Sequence, residues 1–320
     1  MFIIDIKIKL FDDLVRCVNL SSLLELSGWP KPGNVHRTKD FEDTRFEHFL
    51  AGITAIQPNF RELCRKINKS LESNAIEFTA IELGLFYKKS AKEMMRWQSG
   101  GNVLLGHILI LAPLVSAATI CIKTNRVKIE EFEFILKKII EDATVEDTLN
   151  LYDAIKICNP GGLGRIDKYD IYGENSKQEI RQDGITLKKV FELSKDYDLI
   201  SNEYSSGFNI VLKEGLPYFL ETFKNSQDIN ITIVNTYLKL LSNHLDTLII
   251  RKTSKKDALE VSKKALDILS YGGISTKKGL ELTIKFDKDL HKQNGKLNPG
   301  TTADLVAGTI FCALLFGLKF

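Results

Sequence analysis

Residues 103–122, VLLGHILILAPLVSAATICI, form one continuous apolar run. As a helix it would be about 30 Å long, the thickness of a bilayer's hydrocarbon core. Such a run can cross a membrane or lie at the centre of a large helical domain. This one carries His107, Pro113, Ser116 and Thr119, and no second run of equal quality exists elsewhere. The apolar stretch near residue 310 is shorter and has Asp304 at its start. We therefore expect a buried core helix and no membrane partner.

The surrounding chain supports a helical core. Apolar residues recur at helical spacing over 10–26, where Gly28 and Pro30 set the end, and over 46–56, with a stop at Gln57-Pro58. Similar periods cover 61–72, 75–97, 128–141 and 144–159, the last closed by Pro160-Gly-Gly-Leu-Gly164. They return over 186–223, with breaks near Gly207 and Pro217, and over 229–249, 255–270 and 276–292. Between 165 and 183 the pattern is lost, which predicts a surface excursion or a lid. No set of alternating strands and no repeat of fixed period is visible. The expectation is an all-α fold: one large multi-helix domain over residues 1–320.

Apolar content of 44% and charged content of 27% are those of a folded globular protein. A net charge of +3 leaves no strong nucleic-acid footprint. The five cysteines are far apart with no C-x-x-C pair, so we expect reduced thiols and a cytoplasmic protein. The first residues, MFIIDIKIKLF, do not read as a signal peptide. None of the five histidines makes a recognised metal-ligand spacing.

One polar stretch, Glu25 to Phe49, breaks the helical pattern. Pro-Lys-Pro-Gly at 30–33 cannot be helix interior, and as a rigid turn it would aim Lys31 and leave the Gly33 and Asn34 amides accessible. Arg37, Asp40, Glu42 and Asp43 follow, and cations beside carboxylates suit a polyphosphate and its metal ion. Local alternatives exist for each residue. Glu25, in the last turn of a helix where a carboxylate is disfavoured, can pair with Lys31 or Arg37. Asp43 and Thr44 are N-cap candidates for the next helix. Asn102 and Gly106 open the apolar helix, whose N-terminal amides suit an anion but equally an ordinary turn. Asp304 can complete a capping box with Thr301 or face a site. Asp246 to Lys252 reads as a solvated helix end.

Three separated blocks carry a resemblance. Glu25-x5-Lys31-Pro32-Gly33-x3-Arg37-x5-Asp43 resembles the N-terminal signature of the triphosphoribosyl-dephospho-CoA synthase family, Gly101-Asn102-x3-Gly106 is similar to its G-x-N-T-x-x-G, and Asn298-Pro-Gly-Thr-Thr-Ala-Asp304-Leu is similar to its S-P-G-G-S-A-D-L. The resemblance implies an all-helical enzyme that transfers the triphosphoribosyl part of ATP to the 2′-hydroxyl of 3′-dephospho-CoA and releases adenine. The product is the prosthetic-group precursor of a lyase acyl-carrier subunit. It also implies catalytic roles for Glu25, Asp43 and Asp304, and substrate or phosphate contacts from Lys31, Gly33, Asn34, Arg37, Asn102 and Gly106. Asp43 and Asp304 would hold Mg2+ with the ATP. His36, Phe41, Thr44 and Val103 depart from the family's pattern, which marks a divergent branch. Two rival readings stay open: a transferase for another acceptor in cofactor biosynthesis, and a non-catalytic nucleotide-binding helical protein. Assembly into a homo-oligomer also stays open.

Overall fold

The computed structural model describes residues 5–73 and 77–320, with the Ser73 side chain left aside. Among the described residues it contains fifteen α-helices and no strand, only the isolated bridges Asp5–Lys128 and His36–Lys39. The first four residues and 74–76, where one predicted helix begins, lie outside the described residues.

Two helices without a polar face, Leu105–Thr124 and Gly300–Leu315, pack against each other at the centre. A β-carbon at Gly308 would lie 2.6 Å from Ile110 Cγ2, so glycine sets how closely the pair can approach. An 18-residue window of Leu105–Thr124 is long and apolar enough to cross a membrane, and 89% of that window is buried inside the fold. Amphipathic helices enclose the pair: Phe11–Ser27, Phe46–Ser70 and Ile129–Glu141 pack directly on its members, and Ile229–Asn243 covers Gly300–Leu315 from another side.

Local rules explain most helix ends, and the exceptions are instructive. The helix expected to stop at Pro58 continues from Phe46 to Ser70. Proline removes one backbone donor, but Ile53, Ile56, Phe60, Leu63 and Ile67 keep one apolar stripe buried across it. Neither Asp43 nor Thr44 caps that helix. Its N-cap is Arg45, and Asp40 Oδ1 accepts the Phe46 N–H at 2.8 Å.

The stretch expected as one helix over 229–249 is two, Ile229–Asn243 and Thr247–Lys252. Asp246 separates them and is fully buried. Its carboxylate accepts the Leu248 and Ile249 N–H groups at 2.9 and 3.2 Å, and the Thr302 N–H and hydroxyl at 2.7 and 2.8 Å. Asp246 thus satisfies donors at the start of two helices, and Asp304 is released from the capping role open to it. Glu203 does similar work, accepting the Ile210 and Val211 N–H groups of a π-helical turn at 2.7 and 2.9 Å.

Candidate active site

The Pro-Lys-Pro-Gly turn follows Phe11–Ser27 and is buried from Pro30 to His36. Helix Ile229–Asn243 holds it: Tyr237 Oη donates to Pro32 O at 2.9 Å, and Asn230 Oδ1 accepts the Trp29 N–H at 2.9 Å. The turn does aim Lys31, but inward. Lys31 is fully buried, its Nζ pairs with Glu25 Oε1 and donates to Glu25 O at 2.8 Å. A lysine ammonium therefore offsets the misplaced carboxylate at this helix C-terminus.

The other oxygen of Glu25 continues the chain of charges. His107 Nε2 lies 3.4 Å from Glu25 Oε2, an ion-pair contact without hydrogen-bond alignment. On the far side of the ring, His107 Nδ1 is 2.7 Å from Asp304 Oδ1. Lys31, Glu25, His107 and Asp304 thus form one row, and exposure rises along it. The Lys31 side chain is 0% exposed, Glu25 2%, His107 3% and Asp304 17%. Asp304 is the most open of the four.

Burial works against charge at every position in this row. It would lower the His107 pKa, but the carboxylates of Asp304 and Glu25 outweigh it and raise the value to about 9. Burial would raise Glu25, yet the Lys31 charge and then His107 hold it below the usual range. Burial does raise Asp304, and His107 offsets that only in part. At neutral pH the imidazole therefore holds its proton, between Glu25 and Asp304.

The row ends at a cleft of about 950 Å³, large for a small-molecule site and roomy enough for two ligands. Glu25, Asn34, Asp43, Asn102, Gly106 and Asp304 all line it. Asn34 Nδ2 donates to Asn298 Oδ1 at 2.8 Å, which ties the first block of the resemblance to the third. Asn102 Oδ1 accepts the Leu105 N–H at 3.1 Å and so fixes the start of the central helix. Gly106 has a steric reason, since any β-carbon there would overlap the Asp304 carboxylate.

Other expected residues lie elsewhere. The Gly33 N–H is not free, because it donates to Asp287 Oδ1 at 3.0 Å. The Asn34 N–H is taken by Lys31 O at 3.3 Å. Arg37 is outside the cleft lining, with its guanidinium on Ser27 O and Asn230 Oδ1, both at 2.7 Å. Lys31, sealed behind Glu25, does not line the cleft either.

The cleft's cations come from places that sequence reasoning passed over. Arg251, Lys252 and Lys168 line it. Asp198 Oδ2 holds Arg251 Nη1 at 2.9 Å, while Arg251 Nε is buried without a partner. Lys252 is desolvated enough to lower its pKa, opposed by the charge of Asp43 across the cleft. The 165–183 excursion and the preceding glycine loop form a wall, with Gly161, Gly164, Lys168 and Tyr169 on it. The sequence signal for this wall was Pro160–Gly164, read as a helix stop; for His107 there was none beyond its place in an apolar helix.

Among the described residues one group of three His, Cys, Asp or Glu side chains is spaced to share a metal ion, namely His36, Asp287 and His291. Asp43 and Asp304 are not in it. Magnesium bound with a nucleotide triphosphate needs only one or two protein carboxylates, because phosphate and water supply the rest. Asp43, exposed on the cleft opposite Lys252, fits that demand.

A helical protein whose cleft joins lysine and arginine side chains to a buried carboxylate–imidazole–carboxylate row is equipped for proton transfer on an anionic substrate. The family model for ATP:dephospho-CoA triphosphoribosyl transferase matches residues 11–319, and the chain belongs to that family. It is 34% identical over 109 residues to a 2-(5''-triphosphoribosyl)-3'-dephosphocoenzyme-A synthase of Escherichia fergusonii, an alignment covering 34% of this chain and 35% of that protein. The chain thus spans about a third of the length of this curated relative. The crystal structure of a protein proposed to be a triphosphoribosyl-dephospho-CoA synthase, from Archaeoglobus fulgidus, shares the fold. Its TM-score is 0.62 at 24% identity, over 86% of this chain and 100% of that one.

Proposed function

We propose that this chain transfers the triphosphoribosyl group of ATP to the 2′-hydroxyl of 3′-dephospho-CoA, releasing adenine. The observation that carries the reading is the convergence of all three family blocks on one cleft, through Glu25, Asn102 with Gly106, and Asp304. The hydroxyl oxygen attacks C1′ of the ATP ribose as the C1′–N9 bond breaks, through an oxocarbenium-like state. The hydroxyl proton leaves to a base, and the net reaction returns a proton to adenine. We assign the base to Asp304, the most open carboxylate of the row, oriented by His107. General-base help of this kind is worth a factor of about 10²–10⁴. Glu25, committed to Lys31, positions His107.

The triphosphate goes to Arg251, Lys252 and Lys168, the cations that line the cleft. Asp43 would hold the Mg2+ that accompanies it, and the ion would neutralise phosphate charge. This moves Asp304 from metal ligand to proton acceptor, since its Oδ1 is already engaged with His107. A cytoplasmic setting suits a protein whose five cysteines are all free and buried.

The test is adenine release from ATP and Mg2+, with and without 3′-dephospho-CoA, followed by mass spectrometry. The proposal requires adenine that depends on the acceptor and a product carrying the triphosphoribosyl mass. Adenine release indifferent to 3′-dephospho-CoA would point to transfer to another acceptor or to water. No adenine at all, with ATP bound, would make this a binding protein.

A further inference from the structure

We propose that His36, Asp287 and His291 bind a zinc-class divalent cation, which fastens the Pro-Lys-Pro-Gly loop to helix Lys277–His291. This site is separate from the Asp43 and Asp304 carboxylates of the cleft, and none of its three residues lines that cleft.

Asp287 and His291 stand four residues apart on one helix, so their side chains share a face. His36 comes from the loop and meets them there. All three are buried, at 1%, 7% and 8% exposure, and a ligand atom from each lies within 4.8 Å of the others. His36 Nε2 is 3.2 Å from Asp287 Oδ2. Two ligands about 2.0–2.1 Å from one tetrahedral zinc lie about 3.3 Å apart, so this pair already has the required separation.

The outer contacts fix the tautomer of His291. His291 Nδ1 lies 3.0 Å from the Asp287 backbone carbonyl and must carry the hydrogen to make that bond. Its Nε2 is then a bare lone pair, and it is buried with no partner. His36 Nδ1 lies 3.2 Å from Thr38 Oγ1 and 3.4 Å from the Thr38 backbone N–H, so ligation through Nε2 requires Nδ1 to carry the hydrogen and donate to the hydroxyl in place of accepting that N–H. A ligating histidine that gives its second N–H to a carbonyl or hydroxyl is the usual arrangement around protein-bound metals. Asp287 Oδ1 takes the Gly33 N–H at 3.0 Å and also lies 3.0 Å from His291 Nδ1, which leaves Oδ2, beside His36 Nε2, for the cation. Hydrogen bonding alone satisfies His36 and Asp287 but leaves the buried His291 Nε2 without a partner. Two imidazoles and one carboxylate suit zinc, cobalt, nickel or iron(II), and suit magnesium poorly.

The experiment uses the full chain without a histidine tag, expressed in zinc-supplemented medium and purified without chelating resin. Elemental analysis is expected to find about one zinc per chain, and a small fraction of that in His291→Gln and Asp287→Asn. A strong chelator should lower the melting temperature of the unsubstituted protein, zinc should restore it, and excess magnesium should not. Because a variant can fail to fold, the unsubstituted chain is also titrated with Co2+, whose visible absorption reports a low-coordinate nitrogen and oxygen site. Zinc-free protein with no cobalt spectrum and no melting response overturns the proposal. Equal zinc in folded His291→Gln and Asp287→Asn overturns it too.

Discussion

Gly106 and Asp304 face each other where the two central helices begin, with no room for a β-carbon between the Gly106 backbone and Asp304 Oδ2. Gly106→Ala should therefore displace the carboxylate or push the helices apart. Overpacking of this kind costs about 1–3 kcal/mol, while a misplacement of about 1 Å at a reacting group can cost about 10²-fold in rate. We expect a folded variant with kcat down by about 10²-fold or more, measured as acceptor-dependent adenine release. Full activity in this variant would remove Asp304 from the chemistry.

The His107 pKa of about 9 makes a pH prediction. Its value in the fold is above the ordinary 6.5, so the fold gains stability from binding that proton. The contribution is complete below pH 6.5 and fades as pH rises through about 9. Melting curves across that window should show the native protein losing its advantage over His107→Asn as the pH climbs. A constant difference would mean that the imidazole is not charged.

Arg251 and Arg37 separate two accounts of phosphate binding. Arg251→Ala removes a cation that lines the cleft and is expected to raise the KM for ATP by about tenfold or more, as loss of a charged hydrogen bond costs about 1.5–3 kcal/mol. Arg37→Ala, whose guanidinium is spent on Ser27 and Asn230, should leave the KM for ATP near its starting value. The reverse pattern would restore the loop arginine to the site.

Asp246→Ala should be among the most damaging substitutions away from the cleft's chemistry. It strands the buried N–H groups of Ile249 and Thr302. Each unsatisfied buried donor costs about 1–3 kcal/mol, so a total of about 3–5 kcal/mol is expected in urea denaturation. A loss below about 1 kcal/mol would show that these donors find water.

The helical class and most helix positions were legible because each depends on residues close in sequence. Apolar spacing marked the helices, while Gly28, Pro30 and Gly207 marked breaks between them. What stayed hidden depends on partners far away. Pro58 looked like a stop until the buried stripe on both sides of it had a core to face. Asp304 looked like a cap because nothing local reveals that Asp246, 56 residues upstream, supplies Thr302's acceptor. His107 read as one polar residue in an apolar helix; its charge follows from Glu25 and Asp304, on two other segments. His36 and Asp287 are 251 positions apart, beyond any spacing rule for metal ligands. Arg251 read as solvated because the glycine loop that encloses it has no helical or strand pattern to announce its path.

The hydrogen bond from Asn34 to Asn298 joins segments 264 positions apart. Glu25 and Lys31 are therefore made long before Asp304. A chain cut short between His107 and Asp304 holds three members of the proton row and lacks the fourth. Such a copy would be without the proposed base, so the order of synthesis keeps the row incomplete until the second central helix has been made.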